Sequence, residues 1–294
     1  MKTEKSSERT LQAVLNEGIQ FLTEHGIEQA TLLAERLLQG LLDCKRFELY
    51  LNSEQPLSSP QREIYFSFLK QRAKNIPSQY ILGRADFMDF TFQVTPSVLI
   101  PRPETELLVE KVVQTVDSAG FETKELEILD VGTGSGNIAV SLALYLPKAS
   151  VWAVDISDEA LQVARLNAMR NEVGHRIRFL RSDLFQAIPS GKRYDLIVSN
   201  PPYLSERDMQ TLAPEISHEP AAALFGGPRG TEFIERFITE APGFLAESGG
   251  LFFEIGAAQA ATVTDMLERW GWKDFEIFKD YSGWNRVVMA RWKI

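Results

Sequence analysis

The chain has 294 residues, about the combined length of two ordinary domains. Its apolar residues make up 44% and its charged residues 24%, which excludes a disordered, collagen-like or coiled-coil protein and indicates a globular one. The formal net charge of −9 argues against general binding to nucleic-acid phosphates or anionic membranes.

The N-terminal part of the chain has the periodicity of amphipathic helices. Apolar residues recur at helical spacing over residues 11–22 and again over residues 30–41. Ser59 before Pro60 is typical of an N-cap followed by a first-turn proline. Three apolar residues predict the buried face of the helix that follows: Ile64, Phe68 and Leu69. We therefore expect a small helical bundle over residues 1–84.

A strand-like pattern follows the helical one. Aromatic and apolar residues alternate from Phe87 to Val94, and a second apolar group at Val98–Ile100 precedes the turn-forming Pro101. This pattern predicts a linking β-hairpin over residues 85–100.

From residue 101 onwards, strand-like runs alternate with helix-like runs, which is typical of βαβ units and a parallel sheet. The predicted strands are Leu126–Val131, Val151–Ile156, Ile177–Leu180, Leu196–Val198 and Leu251–Ile255, followed by a closing hairpin of Phe275–Phe278 and Arg286–Trp292. The predicted helices are Ile138–Leu146, Asp158–Asn171, Thr231–Leu245 and Gln259–Trp270. The fold class is therefore α/β, with a Rossmann-like seven-stranded domain over residues 101–294.

Specific residues also bear on location and metal binding. The first ten residues lack the apolar stretch of a signal peptide, and the apolar run Ile138–Leu146 is too short to span a bilayer. The single cysteine, Cys44, and three scattered histidines predict no internal disulfide and no metal site. We expect a cytoplasmic protein that acts as a monomer.

The first strand of the α/β part leads into a glycine-rich loop, DVGTGSG at residues 130–136. The spacing G-x-G-x-G and the acidic residue Asp130 before it favour a ligand with a cationic portion over a pyrophosphate. Asp155 ends the next strand about 20 residues further on, where a carboxylate can accept hydrogen bonds from both ribose hydroxyls. Taken alone, the loop has a second interpretation as a generic strand-to-helix turn.

Together, the loop and Asp155 resemble the class I methyltransferases that bind S-adenosyl-L-methionine. The resemblance implies that this cofactor contacts the following residues: Gly132, Thr133, Gly134, Ser135, Gly136 and Asp155. It also implies an adenine contact at Asp183, for which a solvated strand-end carboxylate or a helix cap is the alternative.

The fourth strand leads into the segment Asn200-Pro201-Pro202-Tyr203 at the carboxyl edge of the sheet. Proline has no N–H, so the Pro201 carbonyl is free to accept a hydrogen bond, and Asn200 Oδ1 is a second acceptor. Two converging acceptors fit a planar NH₂ group, as in glutamine, adenine or cytosine, and Tyr203 can pack over it. The alternative is a turn that only terminates the strand.

Several segments together resemble the PrmC/HemK family of protein-(glutamine-N5) methyltransferases. These are LIPRPETE at residues 99–106, DVGTGSG at 130–136, NPPY at 200–203, and the downstream pairs and loop at 214–215, 219–220 and 224–227. The resemblance implies methylation of the glutamine in the Gly-Gly-Gln motif of class 1 peptide chain release factors, with residues 1–84 recognising the factor. It also implies that Asn200 contacts both ligands and that Leu184, where the family often has an aromatic residue, lies beside adenine.

Two other functions remain open at this point. An adenine-N6 or cytosine-N4 methyltransferase would use the same acceptors, but residues 86–294 carry 20 Lys and Arg against 30 Asp and Glu, which disfavours direct binding to nucleic acid. A non-catalytic adaptor that only binds the cofactor or the release factor is the second.

Four further polar residues each have a functional and a structural interpretation. Arg102 and Glu106 either belong to a lid over the cofactor or are surface charges at a helix start. His218 either binds substrate or is a surface histidine, and Glu254 either touches the active site or is a strand-end carboxylate bonded to backbone groups; for both we favour the structural interpretation.

Overall fold

The computed structural model describes residues 9–118 and 125–292. These residues form two compact units, of which the first comprises residues 9–83 and 214–218 and the second residues 84–213 and 219–292. The short segment 214–218 belongs to the first unit although it is far from it in sequence, which local periodicity does not reveal.

The first unit is helical, with one short antiparallel strand pair. The pair joins β1 (Arg9–Thr10) and β2 (Pro56–Leu57). Its described helices are α1 (Leu11–Glu24), α2 (Ala30–Leu42), α3 (Arg46–Leu51), α4 (Ser59–Arg72) and α5 (Ser78–Leu82). Leucines of α1 and α2 pack against Tyr65 and Leu69 of α4 to form the core of this unit.

Helix α4 differs in two details from the prediction. Its N-cap is Ser58, whose hydroxyl accepts from the Gln61 N–H, so Pro60 occupies the second helical position. Ile64, predicted to be buried, is exposed, and Phe68 is half-buried. Leu69 is buried as predicted, together with Tyr65 and Arg72. An arginine is buried there because it forms an ion pair with Glu215 of the same unit.

The second unit begins with an antiparallel hairpin of β3 (Arg84–Phe87) and β4 (Phe90–Gln93). A tight turn, in which Met88 has φ +53°, splits the alternating aromatic run into these two strands. The hairpin is therefore shorter than predicted, and residues 98–100 have no regular secondary structure.

A seven-stranded sheet with flanking helices forms the rest of the second unit. Its strands are β5 (Glu127–Val131), β6 (Ser150–Asp155), β7 (Ile177–Arg181), β8 (Tyr194–Ser199), β9 (Leu245–Glu254), β10 (Asp274–Lys279) and β11 (Asn285–Arg291). The helices are α6 (Pro103–Ser118), α7 (Asn137–Tyr145), α8 (Asp158–Arg170), α9 (Glu206–Met209), α10 (Glu232–Glu240) and α11 (Ala260–Arg269). The predicted α/β class and seven-stranded sheet are confirmed.

The strand order, β10-β11-β9-β8-β5-β6-β7, determines where a ligand can bind. The pairs from β9 to β7 are parallel, whereas β11 is antiparallel to both β9 and β10. Strands β6 and β7 follow β5 on one side, and the chain then crosses over to add β8 on the other side of β5, so the direction of strand order reverses at β5. Ligands bind at the carboxyl ends of the strands beside such a switch point. Among the described residues, no helix is both long and apolar enough to cross a bilayer.

Candidate functional site

A cavity of about 340 Å³ lies in the second unit, where the loops after β5, β6 and β8 meet. Most of the residues predicted for the site line it: Gly132, Thr133, Gly134, Ser135, Asp155, Asp183, Leu184, Asn200 and Pro202. Three predicted residues are not among those that line it: Gly136, Pro201 and Tyr203.

The glycine loop is held tightly against the neighbouring strand. The N–H groups of Gly132 and Thr133 both donate to the Val154 carbonyl, over 2.9 and 3.0 Å. Gly136 is the N-cap of α7 and has φ +80°, and a Cβ there would lie 3.0 Å from that of Ala164. Gly136 therefore allows the loop to pack on α8 and does not face the cavity.

Asp130 is a buried carboxylate at the end of β5, directly before the glycine loop. Thr133 Oγ1 donates to its Oδ2 over 2.7 Å, while Oδ1 has no partner among the described residues. Burial raises the pKa of Asp130 to about 7. Asp130 is fully buried and is not among the residues that line the cavity, so its contact is with Thr133 of the glycine loop.

Asp155 joins the glycine loop to the end of β6. Its Oδ2 accepts from the Gly134 N–H and its Oδ1 from the Ser157 N–H, both over 2.9 Å. Burial raises the pKa of Asp155, while these backbone donors lower it. Because each carboxylate oxygen can accept a further hydrogen bond, Asp155 can still bind two hydroxyl groups in the cavity.

Asp183 and Leu184 line another wall of the cavity. Arg236 of α10 donates to both carboxylate oxygens of Asp183, over 3.2 and 3.1 Å, an ion pair that the sequence did not predict. Leu184 is buried and has φ +48°, in the left-handed region that leucine rarely adopts. Leu184 is aliphatic where the family often has an aromatic residue, and Phe233 contributes an aromatic ring to the cavity lining.

The segment after β8 places two acceptors side by side in sequence. Asn200 Nδ2 donates to Thr105 Oγ1 over 2.9 Å, and Asn200 itself lines the cavity. Among the described residues, none is found to donate to Asn200 Oδ1 or to the Pro201 carbonyl. Both oxygens therefore keep their capacity to bind an N–H group.

Tyr203 lies next to this acceptor pair but outside the cavity lining. Its carbonyl accepts from Gln259 Nε2 over 3.0 Å, and its ring packs with the apolar core on one face of the sheet, close to Gly256. Desolvation raises the pKa of Tyr203 to about 12, so its hydroxyl stays protonated at neutral pH.

Glu254 makes a different contact from the one predicted. Its Oε2 accepts from Thr105 Oγ1 over 2.6 Å, and over residues 9–118 and 125–292 no backbone N–H is found to donate to its side chain, contrary to the prediction. The reason is that β9 ends beside the first turn of α6, which carries Thr105. Burial raises the pKa of Glu254 to about 7.

The proline-rich segment before α6 covers part of the cavity. Glu219 is buried and accepts from the Ile100 N–H over 3.1 Å and from the Arg102 guanidinium. Arg102 and Pro220 both line the cavity. Glu106 accepts from the Met88 N–H over 2.7 Å and so stabilises the β3–β4 turn. Arg102 is thus a residue of the covering segment, whereas Glu106 is structural.

His218 is not among the residues that line the cavity. His218 Nε2 lies 3.1 Å from the Lys74 carbonyl within the first unit. Over residues 9–118 and 125–292, no group of three or more His, Cys, Asp or Glu residues is arranged to hold a metal ion.

Both units match family models and sequence relatives. The model described as PrmC N-terminal domain matches residues 13–83, and the one described as Methyltransferase small domain matches residues 103–230. The release factor glutamine methyltransferase of Geobacter sulfurreducens is 40% identical over 290 residues, which cover 98% of this chain and 99% of the relative. The protein of the same name from Bacillus subtilis is 39% identical over 285 residues, covering 96% and 98%.

Two solved structures that resemble this chain are each under 25% identical to it, so they show the fold alone. The hMettl16 catalytic domain in complex with a MAT2A 3′UTR hairpin has a TM-score of 0.54 at 16% identity, covering 80% of this chain and 82% of that one. A methyltransferase from Pyrococcus furiosus has a TM-score of 0.52 at 19% identity, covering 69% and 89%. The fold of the second unit is thus one that methyltransferases use.

Proposed function

Because the chain belongs to the family of release factor glutamine methyltransferases, we propose that it methylates the side-chain nitrogen, N5, of a glutamine. The substrate is the glutamine in the Gly-Gly-Gln motif of class 1 peptide chain release factors. The observation that carries the proposal is Asn200, which lines the cavity at the switch point of the sheet and whose Oδ1 accepts no hydrogen bond from the described residues. With the adjacent Pro201 carbonyl, which is not itself among the lining residues, it forms a pair of acceptors. A primary amide offers two N–H groups to such a pair.

The methyl donor is S-adenosyl-L-methionine. When bound, it supplies an electrophilic methyl group on a sulfonium, whose bond to sulfur breaks as the carbon–nitrogen bond forms. Asp155 would accept from the ribose hydroxyls, and the glycine loop, which lines the same cavity, would hold the cationic amino-acid end. Asp183 and Leu184 would lie beside the adenine portion, because both line this cavity.

The acceptor pair compensates for the weak nucleophilicity of an amide nitrogen, whose lone pair is delocalised into the carbonyl. Asn200 and Pro201 each hold one N–H of the glutamine, which fixes the nitrogen at attack distance without a strong base. Both oxygens also stabilise the positive charge that develops on the nitrogen. The alkylated nitrogen then releases one proton to water, which leaves neutral N5-methylglutamine.

Several features support the choice of a protein substrate. Residues 86–294 carry 20 basic against 30 acidic side chains, which weakens binding to nucleic-acid phosphates. We assign recognition of the release factor to residues 1–84, which include the match to the PrmC N-terminal domain. The enzyme acts in the cytoplasm as a monomer, with no direct contact to nucleic acid or membrane.

The proposal is tested by methyl transfer from labelled S-adenosyl-L-methionine to a purified class 1 release factor. The variant of that factor with Gln→Ala in the motif, a duplex DNA and a structured RNA are assayed in parallel. We expect label on the intact factor alone. Label on DNA or RNA, or equal label on the Gln→Ala factor, would contradict the assignment.

Asn200→Ala provides the matching test on the enzyme. Misplacing a reacting atom by about 1 Å can cost roughly 100-fold in rate, and we expect at least that loss. Gln162→Ala, which removes an exposed amide on α8, is the control and should keep full activity. Retention of activity in Asn200→Ala would remove the acceptor pair from the mechanism.

A further inference from the structure

Three side chains of the second unit form a hydrogen-bonded chain that reaches the acceptor pair. Asn200 Nδ2 contacts Thr105 Oγ1 over 2.9 Å, and Thr105 Oγ1 contacts Glu254 Oε2 over 2.6 Å. Thr105 and Glu254 are each only 1% exposed, so water does not compete for these bonds. The chain connects α6, β9 and the loop after β8, which are far apart in sequence.

The direction of each bond follows from the proton inventory. An ionised carboxylate can only accept, so Glu254 takes the single hydroxyl proton of Thr105. The oxygen of Thr105 is then left as an acceptor, and its partner on Asn200 has to be a donor. The NH₂ group of Asn200 is therefore turned to Thr105, and Oδ1 is the polar atom that remains for a ligand.

We propose that Thr105 and Glu254 are positioning residues that act through Asn200 and fix its Oδ1 as the acceptor for the substrate nitrogen. That the substrate is a glutamine amide rests on the proposed function, but the hydrogen bonds among Asn200, Thr105 and Glu254 are present without substrate. If Asn200 were rotated by half a turn, its NH₂ group would meet the NH₂ group of the glutamine. Two donors facing each other cannot form a hydrogen bond, so the substrate would lose one of its two anchors.

The surroundings of Glu254 determine the pH range in which its side chain is ionised and accepts from Thr105. Desolvation raises the pKa of Glu254 to about 7, and Glu104 acts in the same direction, while Thr105, Arg286 and Arg102 lower it. A protonated Glu254 could donate to Thr105 and remove the constraint on Asn200. The tests below are therefore made at a pH of about 8, where the carboxylate form prevails.

The first test compares Thr105→Val, which has the same shape without a hydroxyl, with Thr105→Ser, which keeps the hydroxyl. We expect Thr105→Val to lower kcat by roughly 100-fold while KM for S-adenosyl-L-methionine stays within about threefold. Thr105→Ser should restore most of kcat. Equal losses in both variants, or no loss in Thr105→Val, would overturn the positioning role. If Thr105→Val does not fold, Thr105→Ala removes the same hydroxyl and the same outcomes apply.

A second test needs no substrate and separates this inference from the proposed function. The side-chain NH₂ signals of Asn200 are assigned by NMR through their absence in Asn200→Asp, and their exchange with solvent is measured. We expect protection in the wild type and in Thr105→Ser, and its loss in Thr105→Val. Unprotected wild-type signals overturn the inference even if glutamine is methylated. If the signals are protected but the enzyme methylates no release factor, the positioning of Asn200 by Thr105 and Glu254 is supported and the proposed function is refuted.

Discussion

Replacement of Asn167 by leucine should destabilise the second unit and loosen the cofactor loop. Asn167 of α8 is fully buried, and its Nδ2 donates to the carbonyls of Gln93 and Ser135 over 2.9 and 2.8 Å. Its Oδ1 accepts from the Gln93 N–H over 2.7 Å. One side chain thereby ties β4 to the glycine loop.

The expected cost follows from the groups that Asn167→Leu leaves unpaired. An unpaired buried hydrogen-bonding group costs about 1–3 kcal/mol; the Ser135 carbonyl is such a group, whereas the two Gln93 groups are partly buried and cost less, so we expect the free energy of unfolding to fall by about 3 kcal/mol. For a unit of this size, that loss corresponds to a fall in Tm of roughly 6–12 °C. Thermal unfolding followed by circular dichroism measures the fall, and calorimetry should show a raised Kd for S-adenosylhomocysteine because Ser135 lines the cavity.

Gln162→Leu is the matched control, because Gln162 is an exposed amide on the same helix. We expect its Tm to stay within about 2 °C of the wild type, as surface substitutions usually do. A Tm for Asn167→Leu that equals that of Gln162→Leu would refute the reasoning, since it would mean that the three hydrogen bonds of Asn167 contribute nothing.

Three further variants test single contacts. Asp155→Asn removes a charged ribose acceptor and should raise the Kd for S-adenosylhomocysteine at least roughly tenfold by calorimetry; an unchanged Kd would contradict the assignment. The pKa of Glu254 is about 7 in the folded state, compared with 4.5 for an ordinary glutamate, so its proton is held more tightly in the folded state. Its contribution to the free energy of unfolding is fully present below about pH 4.5 and is lost as pH rises through about 7. In urea unfolding, the free energy of unfolding should therefore fall less between these pH values in Glu254→Gln than in the wild type. The same pH profile in both proteins would contradict this. Gly136→Ala should lower Tm more than Gly132→Ala, since both have positive φ but only at Gly136 would the new Cβ meet a neighbour, at 3.0 Å; equal Tm values would argue against that contact.

The sequence predicted the strands, their alternation with helices and the motifs that contribute part of the cavity lining, because these features follow from local periodicity and short motifs. It did not predict the side-chain pairs that organise the site. Asn167 and Gln93 are 74 residues apart, and Thr105 and Glu254 are 149 apart. Such pairs arise only when the sheet brings distant elements together, and no local pattern carries that information. The predicted hairpin is too long for a different reason: the turn at Met88 lies inside a run of residues with a continuous strand pattern.

The arrangement around Asn200 also bears on which atom of an amide reacts. In a free amide the oxygen is the more electron-rich atom, because the nitrogen lone pair is delocalised into the carbonyl. At the acceptor pair, Pro201 has no N–H, and the NH₂ group of Asn200 is turned to Thr105. The two groups therefore present only lone pairs, which repel a carbonyl oxygen and bind an NH₂ group. Selection of nitrogen over oxygen thus depends on the absence of donors as much as on the presence of acceptors, and Thr105 and Glu254 maintain that absence.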